Sequence, residues 1–249
     1  MEPVIDIRNL VVRFPAGKGV VEALQGLSLT VPRGSVVGFL GPNGAGKTTT
    51  IHVLLGFTEP TSGSALLFGR DVREAIARER IGYLPELPIT YGFLTGRELL
   101  MLAGRLFLMP PAALREATAR ALKQVDMEAA ADRRIATYSR GMMQRIGLAQ
   151  ALVHDPDLVI LDEPTSGLDP IGRTAVRRII ADLRGTGKTV FFSSHELSEV
   201  ELVCDRVAIL SGGRLVAEGE VSSLVRQGER LETYFLRTIT AAASGGEAP

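Results

Sequence analysis

GPNGAGKTTT, residues 41–50, follows the short apolar run SVVGFL (35–40) and opens a stretch of helical character, TTTIHVLLGF (48–57). Gly41 to Thr48 fit the pattern G-x-x-x-x-G-K-[ST], and the flanking strand and helix are where that pattern needs them. Glycines let the backbone bend so that successive N–H groups point inward, and the helix that follows adds the positive end of its dipole. The segment from Gly41 through Pro42, Asn43, Gly44, Ala45 and Gly46 to Lys47, Thr48 and Thr49 is therefore expected to cradle a polyphosphate. Lys47 is expected to reach the terminal phosphates, and the Thr48 hydroxyl to ligate magnesium.

About a hundred residues further on, LVILDEP (158–164) supplies a second acidic element. Four apolar residues predict a buried strand whose end presents Asp162 and Glu163 where α/β sheets bind ligands. Asp162 is the candidate second magnesium ligand, and Glu163 the candidate base that polarises an attacking water.

Periodicity organises the rest. Val4–Phe14 reads as a strand with only partial alternation, residues 23–34 as another, and 61–72 as a hairpin. Ile81–Leu84 makes a short strand. From about 95 to 153 only helices can be drawn: one behind the capping-box spacing Thr95…Glu98 and running to Met109, one after Pro110-Pro111, and one opened by Ser139. Strands and helices alternate again after Pro156, ending in RVAILSGGRLVAEG (206–219) as two strands joined at Gly212-Gly213. This order implies a mostly parallel sheet covered by helices, with an antiparallel β part at the N-terminal side and a helical insertion. A single domain over 1–238 is expected, with an α/β core from 1–86 and 154–220, a helical subdomain at 87–153 and an extension at 221–238. Residues 239–249 are expected to form a disordered tail.

Composition narrows the functional classes. Lys+Arg and Asp+Glu balance at 28 each, so nothing resembles an electrostatic footprint for nucleic acid. The single cysteine, Cys204, has no intrachain partner and reads as a small buried apolar residue. The N-terminus has no signal-peptide pattern, and the most apolar stretch, residues 99–109, is short and carries Arg105. Any membrane work is expected to belong to a partner.

Further motifs fall in a recognisable order. Tyr138-Ser-Arg-Gly-Met-Met-Gln144 precedes the acidic strand and resembles the ABC signature LSGGQ, with Ser139 and Gly141 matching and Arg140 and Met142 departing from it. Ser166-Gly-Leu-Asp169 looks like the family's D-loop, and His195, after TVFFSS, like its switch histidine. On these motifs, with the phosphate loop and the acidic strand, the chain resembles ATP-binding proteins of ABC transporters, which implies a P-loop NTPase core. The resemblance implies ATP with magnesium as cofactors and places Phe14 where the family stacks an aromatic on adenine. It also puts Glu86 at the position of the Q-loop glutamine, where a carboxylate could ligate the metal or couple motion. By the same resemblance, two ATPase subunits pair head to tail as a homodimer, so that Ser139, Gly141 and Asp169 meet the partner's nucleotide. A membrane permease on another chain, with this subunit on its cytoplasmic face, would carry the substrate. YLPE (83–86), YSRGMMQR (138–145) and LETYFLRTI (231–239) look most like exporter-type ATPases of drug, lipid or polysaccharide efflux. The rival classes are a soluble mechanochemical ATPase, which would show coiled coils, zinc cysteines or fused halves, and a non-hydrolysing subunit, against which Glu163 and His195 both count.

Overall fold

The computed structural model describes residues 2–17, 19–88, 91–225 and 229–244. In chain order the elements are β1 (Ile5–Ala16), β2 (Gly19–Val31), β3 (Val36–Leu40), α1 (Lys47–Leu54), β4 (Ser62–Leu67), β5 (Arg70–Asp71) and β6 (Ile81–Leu84). There follow α2 (Gly96–Leu106), α3 (Pro111–Gln124), α4 (Arg140–Leu152), β7 (Leu158–Asp162), α5 (Pro170–Gly185), β8 (Thr189–Ser194) and α6 (Leu197–Val203). The chain closes with β9 (Arg206–Ser211), β10 (Arg214–Glu220), α7 (Val221–Leu224) and α8 (Leu231–Ala243). They are organised as two compact units, 1–79 with 189–249, and 80–188.

The first unit carries two sheets. In one, β2-β1-β4-β5 pair antiparallel. In the other, β3 lies between β9 and β8, parallel to both, and β10 closes onto β9 as an antiparallel hairpin. Every residue of β3 and β8 is buried, as a strand covered on both faces requires, and Phe39 and Phe191 meet there at 5.1 Å between ring centroids. The partial alternation of β1 has a local cause: its register with β2 slips between Ile7 and Leu10, where Asn9 takes a left-handed φ of 46°. β2 starts at Gly19, four residues before the expected strand, because it pairs with β1 to the tip of the hairpin. Gln25 N–H donates to Gly213 O at 2.8 Å, joining the two sheets. Cys204 is only half-buried, with its sulfur close against Gly38; burial, followed by the charge of Asp205, pushes its thiol pKa up, away from a reactive thiolate.

The second unit holds the helices together with the parallel pair β6–β7. Thr95 and Glu98 form the expected capping box, each accepting a hydrogen bond from the other's backbone N–H, so α2 begins where the sequence indicates. It ends earlier than expected, at Leu106, because Leu108 adopts φ 56° and turns the chain before Pro110. His154 stacks flat on Phe107 at 3.7 Å and bonds Ile81 O through Nε2, tying the end of α2 to the start of β6. Toward the C-terminus, α8 extends five residues into the segment expected to be a disordered tail; residues 245–249 lie outside the described ones.

α4 packs on β6 through two glycines, Gly82 and Gly147. A β-carbon at Gly82 would run into the backbone carbonyl of Ala151, which cannot swing aside as a side chain could. Gly82→Ala is therefore expected to destabilise the protein by about 1–3 kcal/mol, the usual cost of overpacking, measured as a lower urea midpoint with an unchanged slope.

Candidate nucleotide-binding site

In the first unit, the loop after β3 is shaped by its backbone. Gly44 and Gly46 have φ of 78° and 107°, conformations that L side chains rarely adopt, and Gly46 also sits with Ala23 O close behind it. Gly46 is the N-cap of α1 and offers no side-chain bond, and no acidic residue occupies the helix's first turn. The first N–H groups of a helix have no partner within it, so this end is open to an anion. Lys47 is 7% exposed, and its ammonium donates to Gly41 O at 2.7 Å and Pro42 O at 3.4 Å, folded back over the loop. Pro42, Asn43, Gly44 and Thr48 are exposed, Thr49 is half-buried, and Ala45 is buried, its carbonyl accepting from Gly213 N–H.

The parallel register of β3 and β8 pairs Leu40 with Ser194, so the exposed His195 follows its strand at the edge where Gly41 leaves the neighbouring one. Phe14 pairs with Val21 near the tip of the β1–β2 hairpin and is 40% exposed. The same strand β2 then brings Ala23 and Leu24 against Gly46, so the hairpin bearing Phe14 is anchored to the loop.

In the second unit, β7 ends at Asp162, 5% exposed, and Glu163 follows at φ 47°. A left-handed backbone at a glutamate costs energy and marks a position held by its surroundings. Burial, together with the charge of Asp162, pushes the Tyr83 pKa up to about 12, so its phenol stays protonated beside that carboxylate. β6 runs parallel to β7 with Leu84 opposite Leu161, and Glu86 emerges two residues later, exposed, its Oε1 3.4 Å from the Ser166 hydroxyl.

Ser139 caps α4, accepting from Met142 N–H at 3.3 Å, as a serine opening a helix is expected to do. Asp169 caps α5, its Oδ1 accepting from Gly172 N–H at 2.7 Å. A cleft of about 460 Å³ is lined by Ser139, Arg140, Gly141, Gly167, Leu168 and Asp169 among others, bringing the signature and the D-loop together within this unit. Sequence reasoning passed over two residues here. Arg140 stood out only as a departure from the family pattern, and Gly167 only as a letter inside SGLD; its φ of 65° is the feature that a glycine between Ser and Leu could have signalled.

The family model for ABC transporters matches residues 24–166, more than half of the chain and inclusive of the phosphate loop and the acidic strand. The chain belongs to the ABC transporter family. An uncharacterised ABC transporter ATP-binding protein of Nostoc sp. is 49% identical over 207 residues, which are 82% of this chain and 62% of the relative's length, so the chain spans less than two thirds of that protein. Nod factor export ATP-binding protein I of Burkholderia lata is 41% identical over 223 residues, covering 89% of this chain and 72% of the relative. Among solved structures, cbiO1 from Clostridium perfringens, part of the ABC transporter complex cbiONQ, superimposes with a TM-score of 0.82 at 26% identity, covering 95% of this chain and 96% of that one.

The Lys47 ammonium sits among carbonyl oxygens that a phosphate can replace as partners. Lys47→Ala is expected to weaken ATP binding about tenfold to a hundredfold, the range of a charge-assisted hydrogen bond, measured by titration with a fluorescent nucleotide.

Proposed function

We propose that this chain binds and hydrolyses ATP as the motor subunit of an ABC transporter, driving a permease carried on another chain and working in the direction of export. One observation carries the reading: the N-terminus of α1, which has no side-chain cap and no acidic residue in its first turn, follows a loop with left-handed glycines and a buried lysine whose ammonium folds back over the loop carbonyls. Backbone N–H groups of the loop 41–49, where Pro42 alone has none, and Lys47 would hold the phosphates, and Phe14 would stack on the base.

Magnesium fits the donor set. Among the described residues no group of three or more His, Cys, Asp or Glu is placed to hold a metal alone. Magnesium needs no such cage, because it binds through one or two carboxylates together with substrate phosphates and water. On motif identity alone, the Thr48 hydroxyl, the Asp162 carboxylate and Glu86 are the proposed protein oxygens for the ion, and the bound ion would neutralise charge developing on the transferred phosphoryl group. Glu163, held in a left-handed backbone, would accept the proton of the attacking water, and His195 would contact the terminal phosphate. Ser139, Gly141 and Asp169 would meet the nucleotide of a second subunit in a head-to-tail homodimer. ATP would then close the dimer and hydrolysis would release it, since only the closed state makes those contacts.

Several observations favour a membrane partner over a soluble mechanochemical ATPase. No helix among the described residues is long and apolar enough to cross a membrane, and we propose that the pathway is carried by another chain. Between residues 87 and 108, Leu87, Tyr91, Phe93, Leu106 and Leu108 are exposed large apolar side chains, within the stretch 87–153 that we propose as the helical, permease-facing subdomain. One named relative is a Nod factor export ATP-binding protein and one similar structure is part of an ABC transporter complex, which supports transport and its direction; the place we propose for this subunit is the cytoplasmic face of the membrane.

Glu163→Gln is expected to retain ATP binding, to lower turnover by a factor of about 10²–10⁴ and to accumulate an ATP-bound dimer, followed by phosphate release and by light scattering. Turnover at the wild-type rate would remove Glu163 from the role of base.

A further inference from the structure

The two places where this sequence departs most in charge from its family's motifs, Glu86 for a glutamine and Arg140 for a glycine, converge on one residue. Arg140 donates from Nη2 to Ser166 O at 3.0 Å, and the Ser166 hydroxyl donates to Glu86 Oε1 at 3.4 Å. The guanidinium also lies against Gly167, so closely that a β-carbon there would collide with its central carbon and nitrogens. Arg140 is the first residue of α4, where a cation opposes the helix dipole and is unfavourable unless something offsets it. The carbonyl of Ser166 supplies that offset.

The loop these residues grip is already strongly constrained. Ser166 N–H donates to Glu163 O, Leu168 N–H to Thr165 O, and Arg173 Nε to Leu168 O at 3.1 Å, and Asp169 caps α5. Arg140 adds a tie from this loop to the start of the signature helix, and Glu86 a tie to the segment leaving β6. An added positive and an added negative charge thus sit on either side of a single serine.

We infer that Arg140 is a positioning residue that, through Ser166 and Gly167 and with Glu86 as its counterpart, latches the loop 166–169 to the signature helix of its own subunit, so that the two elements move as one. The family's usual glycine has no side chain with which to make this tie. The inference rests on the proposed ATPase reading only in its kinetic consequence, since the latch itself is a property of the nucleotide-free chain.

The experiment compares wild type with Arg140→Gly, Arg140→Lys, Glu86→Gln and the double variant Glu86→Gln/Arg140→Gly in the full chain. Without nucleotide, Arg140→Gly is expected to speed amide exchange at Ser166 and Leu168 about tenfold, the loss of one charge-assisted bond. Arg140→Lys should recover part of the protection, because an ammonium reaches the carbonyl without lying flat on Gly167. In steady-state hydrolysis, Arg140→Gly is expected to lower kcat severalfold with KM for ATP within about twofold, and the Glu86 and Arg140 effects to be non-additive. Unchanged exchange at both amides, or strictly additive kinetics, would overturn the latch. Absence of turnover in the wild type would count against the hydrolytic reading, and the exchange measurement would still decide the latch.

Discussion

Most of what this chain can do depends on a helix that starts without a cap. A capping side chain at the beginning of α1 would occupy one of the free N–H groups and crowd the others; Gly46 provides none. The surrounding unit holds that bare end in place. Buried β3 fixes where the loop begins, Gly213 N–H holds Ala45 O, and the β1–β2 hairpin backs Gly46 through Ala23. Lys47, inward and nearly buried, keeps the loop carbonyls occupied by a charge that a phosphate can share.

The second unit uses its polar side chains differently. Ser139, Asp169 and Thr95 each start a helix, and each therefore already accepts a backbone hydrogen bond. A capping hydroxyl still has a proton to donate, and a capping carboxylate a second oxygen, so these residues can serve structure and ligand together. Asp162 is enclosed at the end of β7, near a phenol that burial keeps protonated. A carboxylate kept from water in this way retains its attraction for a cation.

The legibility of the sequence varied with the physics involved. Strands buried on both faces were plain because β3, β7 and β8 are unbroken apolar runs, and α2 and α4 announced their starts through Thr95 and Ser139. The phosphate loop was legible because its glycines answer a backbone requirement that no other residue meets cheaply. Less visible were features made by pairing or by long reach. The bulge at Asn9, the early start of β2 and the stop of α2 ahead of Leu108 are set by partners and dihedral angles that no local pattern encodes. Arg140 belongs with these: its neighbours Ser166 and Gly167 lie 26 and 27 positions away, and only the folded chain shows what the guanidinium touches.

The backbone at Glu163 carries one more consequence. Its φ of 47° suits glycine better than glutamate, so this position sets the fold's preference against the chemistry proposed for it. Replacement by glycine would relax the chain by relieving a left-handed turn, at about 1 kcal/mol, while deleting the carboxylate. A search for hardier versions of this protein that screened for thermal resistance alone would thus drift toward silent machines at position 163. Any such selection has to be run with catalysis as a second gate.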